Sequence, residues 1–176
     1  MRALAVVTLL AASVMAADAP KVTRAMIKST EAAIDRRFEK LFPDNPYALL
    51  GNARGVYLEG YGVVFSAEMN LIQAAGGPFH QRTTKEEAAQ HRQEKLTRLP
   101  TLRNSMKVAL VGAATSLDTV PPDERVVLAV SVFRHSWEDM TGLPEQIIVS
   151  APRKALVGLQ GASQAALEAA IPSKEY

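Results

Sequence analysis

The sequence predicts an α+β fold: a two-layer domain with a mainly antiparallel sheet of about four strands, a β-hairpin at its centre, and amphipathic helices packed against it. Three observations lead there. The stretch Arg54–Gln73, RGVYLEGYGVVFSAEMNLIQ, alternates in hydropathy on either side of Gly60-Tyr61-Gly62, the pattern of a hairpin. Arg125–Phe133, RVVLAVSVF, is a second strand-like run, apolar on both faces as a central strand is. Around these runs lie segments of helical periodicity, so strands and helices fall in separate blocks.

The chain opens with Met1-Arg2, an apolar run from Ala3 to Leu10 and small residues to Ala17. A charged start, a short apolar run and a small-residue cleavage zone make residues 1–17 a signal peptide, with Val14-Met15-Ala16 fitting the cleavage pattern. The run is too short to span a bilayer comfortably, so no stable membrane anchor is expected after cleavage. Residues 18–176 then form a single domain in the periplasm or outside the cell. Pro20–Phe42 reads as an amphipathic helix with Ile27, Ile34, Phe38 and Leu41 on one stripe, while Lys28, Glu31, Asp35 and Glu39 lie elsewhere around it. Pro43 and the Asp-Asn-Pro cluster end it.

Glycine reaches positive φ at little cost, which suits Gly60 and Gly62 to a tight turn. A two-residue turn at Gly60-Tyr61 pairs Leu58 with Val63; one at Glu59-Gly60 pairs Val56 with Val63. Either register puts Val56, Leu58, Val63, Phe65 and Met69 on one face and Tyr57, Val64, Ser66 and Glu68 on the other. The second strand reaches about ten residues. The string GVYLEGYGVVFSAEMNL resembles a motif, GVYLxGYGVxF followed by alternating apolar residues, found in a family of uncharacterised secreted bacterial proteins, some of them acidobacterial. The resemblance covers under a fifth of the chain. It implies export and brings no known activity and no catalytic residues.

Ala74–His80 breaks the pattern, and a cleft is expected between the hairpin and the Ala74–Arg82 loop. Thr84 and Glu87 form a capping box that starts a polar helix running to about Arg98, mostly facing water, and Pro100 breaks it. Thr101 caps a second helix to about Leu117, lined by Leu102, Met106, Leu110, Ala113 and Leu117 and buried on the sheet. Asp118–Glu124 is a turn. After the Arg125 strand come Gly142 and Pro144, then a fourth strand at Glu145–Ser150. Pro152 opens a final helix, weakened by Gly158 and Gly161, and Ser173–Tyr176 is expected to fray. An arrangement like those of profilin or roadblock domains would accommodate this order, which by itself says little of function.

Composition excludes several classes of function. There is no cysteine, so thiol catalysis, disulfides and lipid anchoring through an N-terminal cysteine are ruled out. The formal charge is +2; without Arg2 it falls to +1, with basic and acidic residues interspersed, so nucleic acid is not an expected partner. There is no G-x-S-x-G elbow, no P-loop, and no G-x-G-x-x-G leading into a helix. His80, His91 and His135 are far apart in sequence and H-E-x-x-H is absent, so neither a metal nor a cofactor is expected.

Two places carry chemistry. Arg134-His135-Ser136-Trp137-Glu138-Asp139 is a dense polar cluster at a strand end, able to supply a base, a cation or an anion site. Glu68, in the hairpin near Tyr57 and Tyr61, binds a polar ligand if it faces a pocket. Arg134, His135, Trp137, Tyr57, Tyr61 and Glu68 are therefore the candidate binding residues. The leading expectation is a non-enzymatic exported interaction or scaffold module that associates with itself or with an envelope protein. A small-molecule binding domain is the alternative, and a hydrolase using His135 with an acidic neighbour comes third.

Overall fold

The computed structural model describes residues 22–43, 47–72 and 84–176. In order these form α1 (Arg24–Phe38), β1 (Ala48–Leu49), β2 (Arg54–Leu58), β3 (Gly62–Asn70), α2 (Lys85–Ser116), β4 (Arg125–Val132), β5 (Gln146–Pro152), α3 (Arg153–Val157), α4 (Gln164–Ala170) and β6 (Ser173–Glu175). The proposed signal peptide and the Ala74–Arg82 loop lie outside the described residues.

The fold is α+β. The sheet has six strands among the described residues rather than about four, in the order β1-β3-β4-β5-β6, with β2 also paired to β3 on the side that β1 occupies. The hairpin β2–β3 therefore lies toward one edge, and β4 holds the middle. That placement follows from hydropathy: β4 carries apolar residues on both faces, whereas β2 offers its outer edge to a helix. Every pairing is antiparallel except β3 with β4, which run parallel and are joined through α2. The two additional strands are short. Ser173–Glu175 does not fray but pairs with Ile147–Val149.

One face of the sheet is core. Val63, Phe65 and Met69 of β3, Val126, Leu128 and Val130 of β4, and Ile147 and Val149 of β5 are fully buried there. Leu102, Met106 and Leu110 of α2 belong to the same cluster. Helix α2 also packs on α1, α3 and α4 and is the common support of the helical layer. It is one helix of 32 residues, not two helices broken at Pro100. The proline costs about 3 kcal/mol by removing a donor and crowding the preceding turn. It faces solvent, and buried Leu99 and Leu102 on either side tie both halves to one core. Tertiary burial thus overrides a local break. The amino-terminal part of α2 faces water as expected only as far as Gln90; Lys95, Arg98 and Leu99 are buried. The final helix is two short ones, α3 and α4, separated where Gly161 takes a φ of 76°.

The hairpin register differs from both expected alternatives. Leu58 pairs with Gly62, Tyr57 with Val63 and Val56 with Val64, leaving a three-residue loop at Glu59–Tyr61. A one-residue change in loop length turns the whole strand over. Gly55 and Tyr57 face the core side with Val63 and Phe65, while Val56 and Leu58 point outward, 51% and 47% exposed. Gly62 belongs to the strand rather than the turn. Its φ is 129°, and a Cβ there would stand 1.9 Å from the Arg125 carbonyl oxygen, so the glycine serves the close approach of β4.

The exposed edge of β2 is closed by α1. Asp35 accepts the Ala53 N–H at 2.7 Å and an Asn52 amide N–H at 2.9 Å. One turn earlier, Glu31 accepts the Gly55 N–H at 2.7 Å and pairs with Arg24 at 2.8 Å, and Arg24 donates to the Gly55 carbonyl. Glu31 and Asp35, off the apolar stripe of α1, are thus buried because they take the place of a neighbouring strand. Burial pushes the Glu31 carboxyl up, but the Gly55 N–H and the Arg24 and Arg54 charges outweigh it and hold the group below its ordinary value.

Candidate functional site

The face of the sheet away from the core has no helix over it among the described residues. Across β2, β3, β4 and β5 its side chains run in rows set by the register. Val56, Val64, Val127 and Ser150 form one; Arg54, Ser66, Ala129 and Ile148 the next; Glu68, Ser131 and Gln146 the third. Toward the hairpin loop the face carries Val56, Val64 and Val127, with Arg125 donating to Ser150 at its end; toward the carboxyl ends of β3 and β4 it is polar.

The polar end is concave. Two adjoining depressions of about 490 and 370 Å³ meet at Glu68 and Ser131. Leu50–Asn52 and Arg54 border one, and Phe133, Arg134, Glu145, Gln146 and Tyr176 border the other. Glu68 and Arg134, far apart in sequence, are thereby brought to one groove. Glu68 is exposed and has no hydrogen-bond or ion-pair partner for its carboxylate among the described residues. Arg134 pairs with Glu145 at 2.9 Å. The Gln146 amide reaches the Ser131 hydroxyl at 3.5 Å. The groove thus sets the Glu68 carboxylate among short hydroxyl side chains, with Arg54 bordering one depression and the Arg134–Glu145 pair the other.

His135 and Trp137 follow Arg134 but face a different neighbour. The His135 ring stacks on Trp137 with centroids 5.2 Å apart and planes 7° apart, and Phe133 meets His135 edge-on at 5.0 Å. Trp137 also touches His91 of α2 at 5.4 Å. One turn along α2, Lys95 donates to Glu138 at 2.5 Å and to the Phe133 carbonyl at 2.9 Å; the Lys95 and Glu138 side chains are 1% and 3% exposed. Arg92 adds a bond to the Thr141 carbonyl and a longer one to Asp139. The hydroxyl and N–H of Thr141 hold Asp139 below its ordinary value. His91, Arg92 and Lys95 therefore clamp the loop after β4 onto α2. Glu138 Oε1 and His91 Nδ1 are buried there without a hydrogen-bond partner among the described residues.

The tyrosines lie at the opposite end of the sheet from the groove. The Tyr57 hydroxyl donates to Glu124 at 3.3 Å, and Glu124 also accepts the Gly60 N–H at 2.9 Å. Burial, and after it Glu124, pushes the Tyr57 hydroxyl above its ordinary value. Tyr61 sits in the hairpin loop, 46% exposed, its carbonyl accepting the Arg125 N–H. Both tyrosines anchor the hairpin to the start of β4, away from Glu68.

Sequence reasoning missed Lys95, Ser131, Gln146 and Arg54 as neighbours of the candidate residues. The spacing of His91 and Lys95, one helical turn apart, was the available signal; their meeting with Glu138 depends on how α2 lies on the sheet. Among the described residues no group of three or more acidic or histidine side chains is placed to hold a metal, and no helix is long and apolar enough to cross a membrane. No family model matches the chain, and neither a curated protein nor a solved structure matches it.

Proposed function

We propose that this chain is an exported, non-enzymatic interaction module of the bacterial envelope, and that the outer face of its sheet is the surface that docks a partner. The observation that carries the reading is the one-sided covering of the sheet. The described helices bury one face, and Val56 and Leu58 stand half exposed on the other, toward the hairpin loop, while the polar groove lies toward the far end of the same face. Exposed apolar side chains next to polar ones are the composition of a docking surface. The groups that could have served hydrolysis are engaged otherwise: His135 is stacked on Trp137, and Glu138 is held by Lys95. Export is supported by the Met1–Ala17 pattern.

A photo-crosslinking residue tests this when placed at Val56 or Ile148 on the outer face and, as a control, at Gln164 on α4. In exporting cells the outer-face positions form a discrete adduct and the α4 position does not. Adducts from α4 alone, or none from the outer face, refute the reading. A second reading, a small-molecule binding domain, is favoured by the groove itself. It predicts a thermal shift with a soluble metabolite and no outer-face adduct.

A further inference from the structure

Gly112 stands inside α2, where a glycine is destabilising relative to alanine. A positive φ or a close approach is the common reason for one. Neither applies here: Gly112 is not among the glycines of positive φ, and a Cβ added to it would meet nothing within 4 Å. What its bare backbone does is leave open a groove of about 260 Å³ between α1 and α2. Ala33 and Ile34 of α1 and Val108 and Ala109 of α2 line it. Two hydroxyls in the lining are already satisfied within their own helices, Thr30 donating to the Met26 carbonyl and Ser116 to the Gly112 carbonyl. The groove therefore suits an apolar occupant.

Its sign is set by one group. Arg37 is the single charged side chain in the lining; it is exposed, and its guanidinium has no hydrogen-bond or ion-pair partner among the described residues. Lys40 follows in the next turn, also exposed, its N–H donating to the Arg37 carbonyl. The acids of α1 lie on another flank: Glu31, Asp35 and Glu39 succeed one another at four-residue spacing on the side that closes β2. Asp118 lies beyond the far end of the groove. Its neighbour Thr119 touches Met26 Sδ at 3.5 Å, and Met26 is eleven residues, about 16 Å of helix, from Arg37.

We infer that this groove binds a free medium-chain fatty carboxylate, with the alkyl chain lying between α1 and α2 and the carboxylate on Arg37. Thr30 and Arg37 are seven residues apart, which gives the groove about 10 Å of length along α1. Pockets for drug-sized ligands start at roughly 300 Å³, so this volume suits one slender chain and not a two-chain lipid. The guanidinium fork takes a carboxylate through two parallel hydrogen bonds. The site is separate from the docking surface, which lies on the sheet face away from the helices.

Isothermal titration calorimetry of the folded protein with decanoate below its micelle concentration tests this. The titration is repeated on Arg37→Gln, Gly112→Leu and Ala33→Leu. Decyltrimethylammonium and phosphatidylglycerol vesicles are the comparison probes. Decanoate is expected to fill one saturable site, with Kd weakened roughly tenfold in Arg37→Gln. Gly112→Leu abolishes binding while melting at or above wild type, since leucine is the better helix former and its Cβ has open space. Ala33→Leu blocks the groove from the opposite, exposed wall. Decyltrimethylammonium does not bind, and the protein does not sediment with the vesicles. No saturable decanoate binding, or binding kept in both leucine variants, overturns the inference. So does binding indifferent to Arg37→Gln or matched by the cationic amphiphile. Vesicle binding without decanoate binding overturns it in favour of a membrane surface. Self-association lost in Gly112→Leu, with no decanoate bound, overturns it in favour of a second copy of the chain.

Discussion

Replacing Asp35 by alanine opens the β2 edge, and its cost follows from the geometry. The carboxylate accepts the Ala53 N–H at 2.7 Å, and Ala53 is 1% exposed, so water cannot take over that donor. A hydrogen bond to a charged group contributes about 1.5–3 kcal/mol, and an abandoned buried N–H costs about 1–3 kcal/mol. These describe largely the same event, so they are not summed. The second bond, to the exposed Asn52, adds little. The expected loss is about 2–4 kcal/mol, a large share of the roughly 5–15 kcal/mol that holds a domain folded. For a chain of this size it lowers Tm by roughly 6–12 °C. Urea unfolding followed by far-ultraviolet circular dichroism and by the fluorescence of Trp137, the protein's one tryptophan, gives the number. Glu39→Ala, exposed just beyond the same helix, is the control and stays within about 0.5 kcal/mol. Asp35→Ala behaving like that control would refute the argument that α1 carboxylates stand in for a neighbouring strand.

Three further outcomes are expected. Gly62→Ala, whose Cβ would meet the Arg125 carbonyl oxygen at 1.9 Å at a φ of 129°, loses at least about 3 kcal/mol and yields little soluble protein, while Gly51→Ala, with nothing within 4 Å, melts like wild type. Lys95→Met strands the buried Glu138 charge and costs about 3–5 kcal/mol, and Lys95→Met with Glu138→Leu recovers most of it; strictly additive losses in urea unfolding would contradict a coupled pair. The lowered Glu31 group contributes stability that is present above its unfolded value near 4.5 and is lost as pH falls through its lower folded value; Glu31→Gln therefore has a flatter acid limb in a pH series of melts, and parallel limbs would show that the carboxylate is not the source.

The parts of the fold legible in the chain were those set by local periodicity and local hydrogen bonding. The alternation in Val63–Met69 and Val126–Val132 marks two strands in any context, and the second is apolar on both sides because it lies mid-sheet. Thr84 and Glu87 satisfy each other's backbone groups within one turn, so the start of α2 needed no tertiary information. Glu68 on the outer face follows from its parity with Val64 and Ser66. The candidate site was legible only as separate residues: Glu68 and Arg134 came together because β3 and β4 pair, and His135 and Trp137 turned from that groove because α2 holds their loop.

By itself the sequence determined the α+β class, the central strand, the helix caps and the apolar stripe of α1, each an interaction among residues within a few positions of one another. Tertiary structure decided the rest. The hairpin loop has three residues because Gly62 is needed where β4 approaches, and that parity alone placed Tyr57 inward and Val56 outward. Pro100 lies within one helix because buried side chains on both sides of it rest on the same sheet. Glu31 and Asp35 lie off the apolar stripe of α1 in the sequence, but helical periodicity records charge and not the unpaired N–H groups of a strand edge, which only the folded chain brings to them.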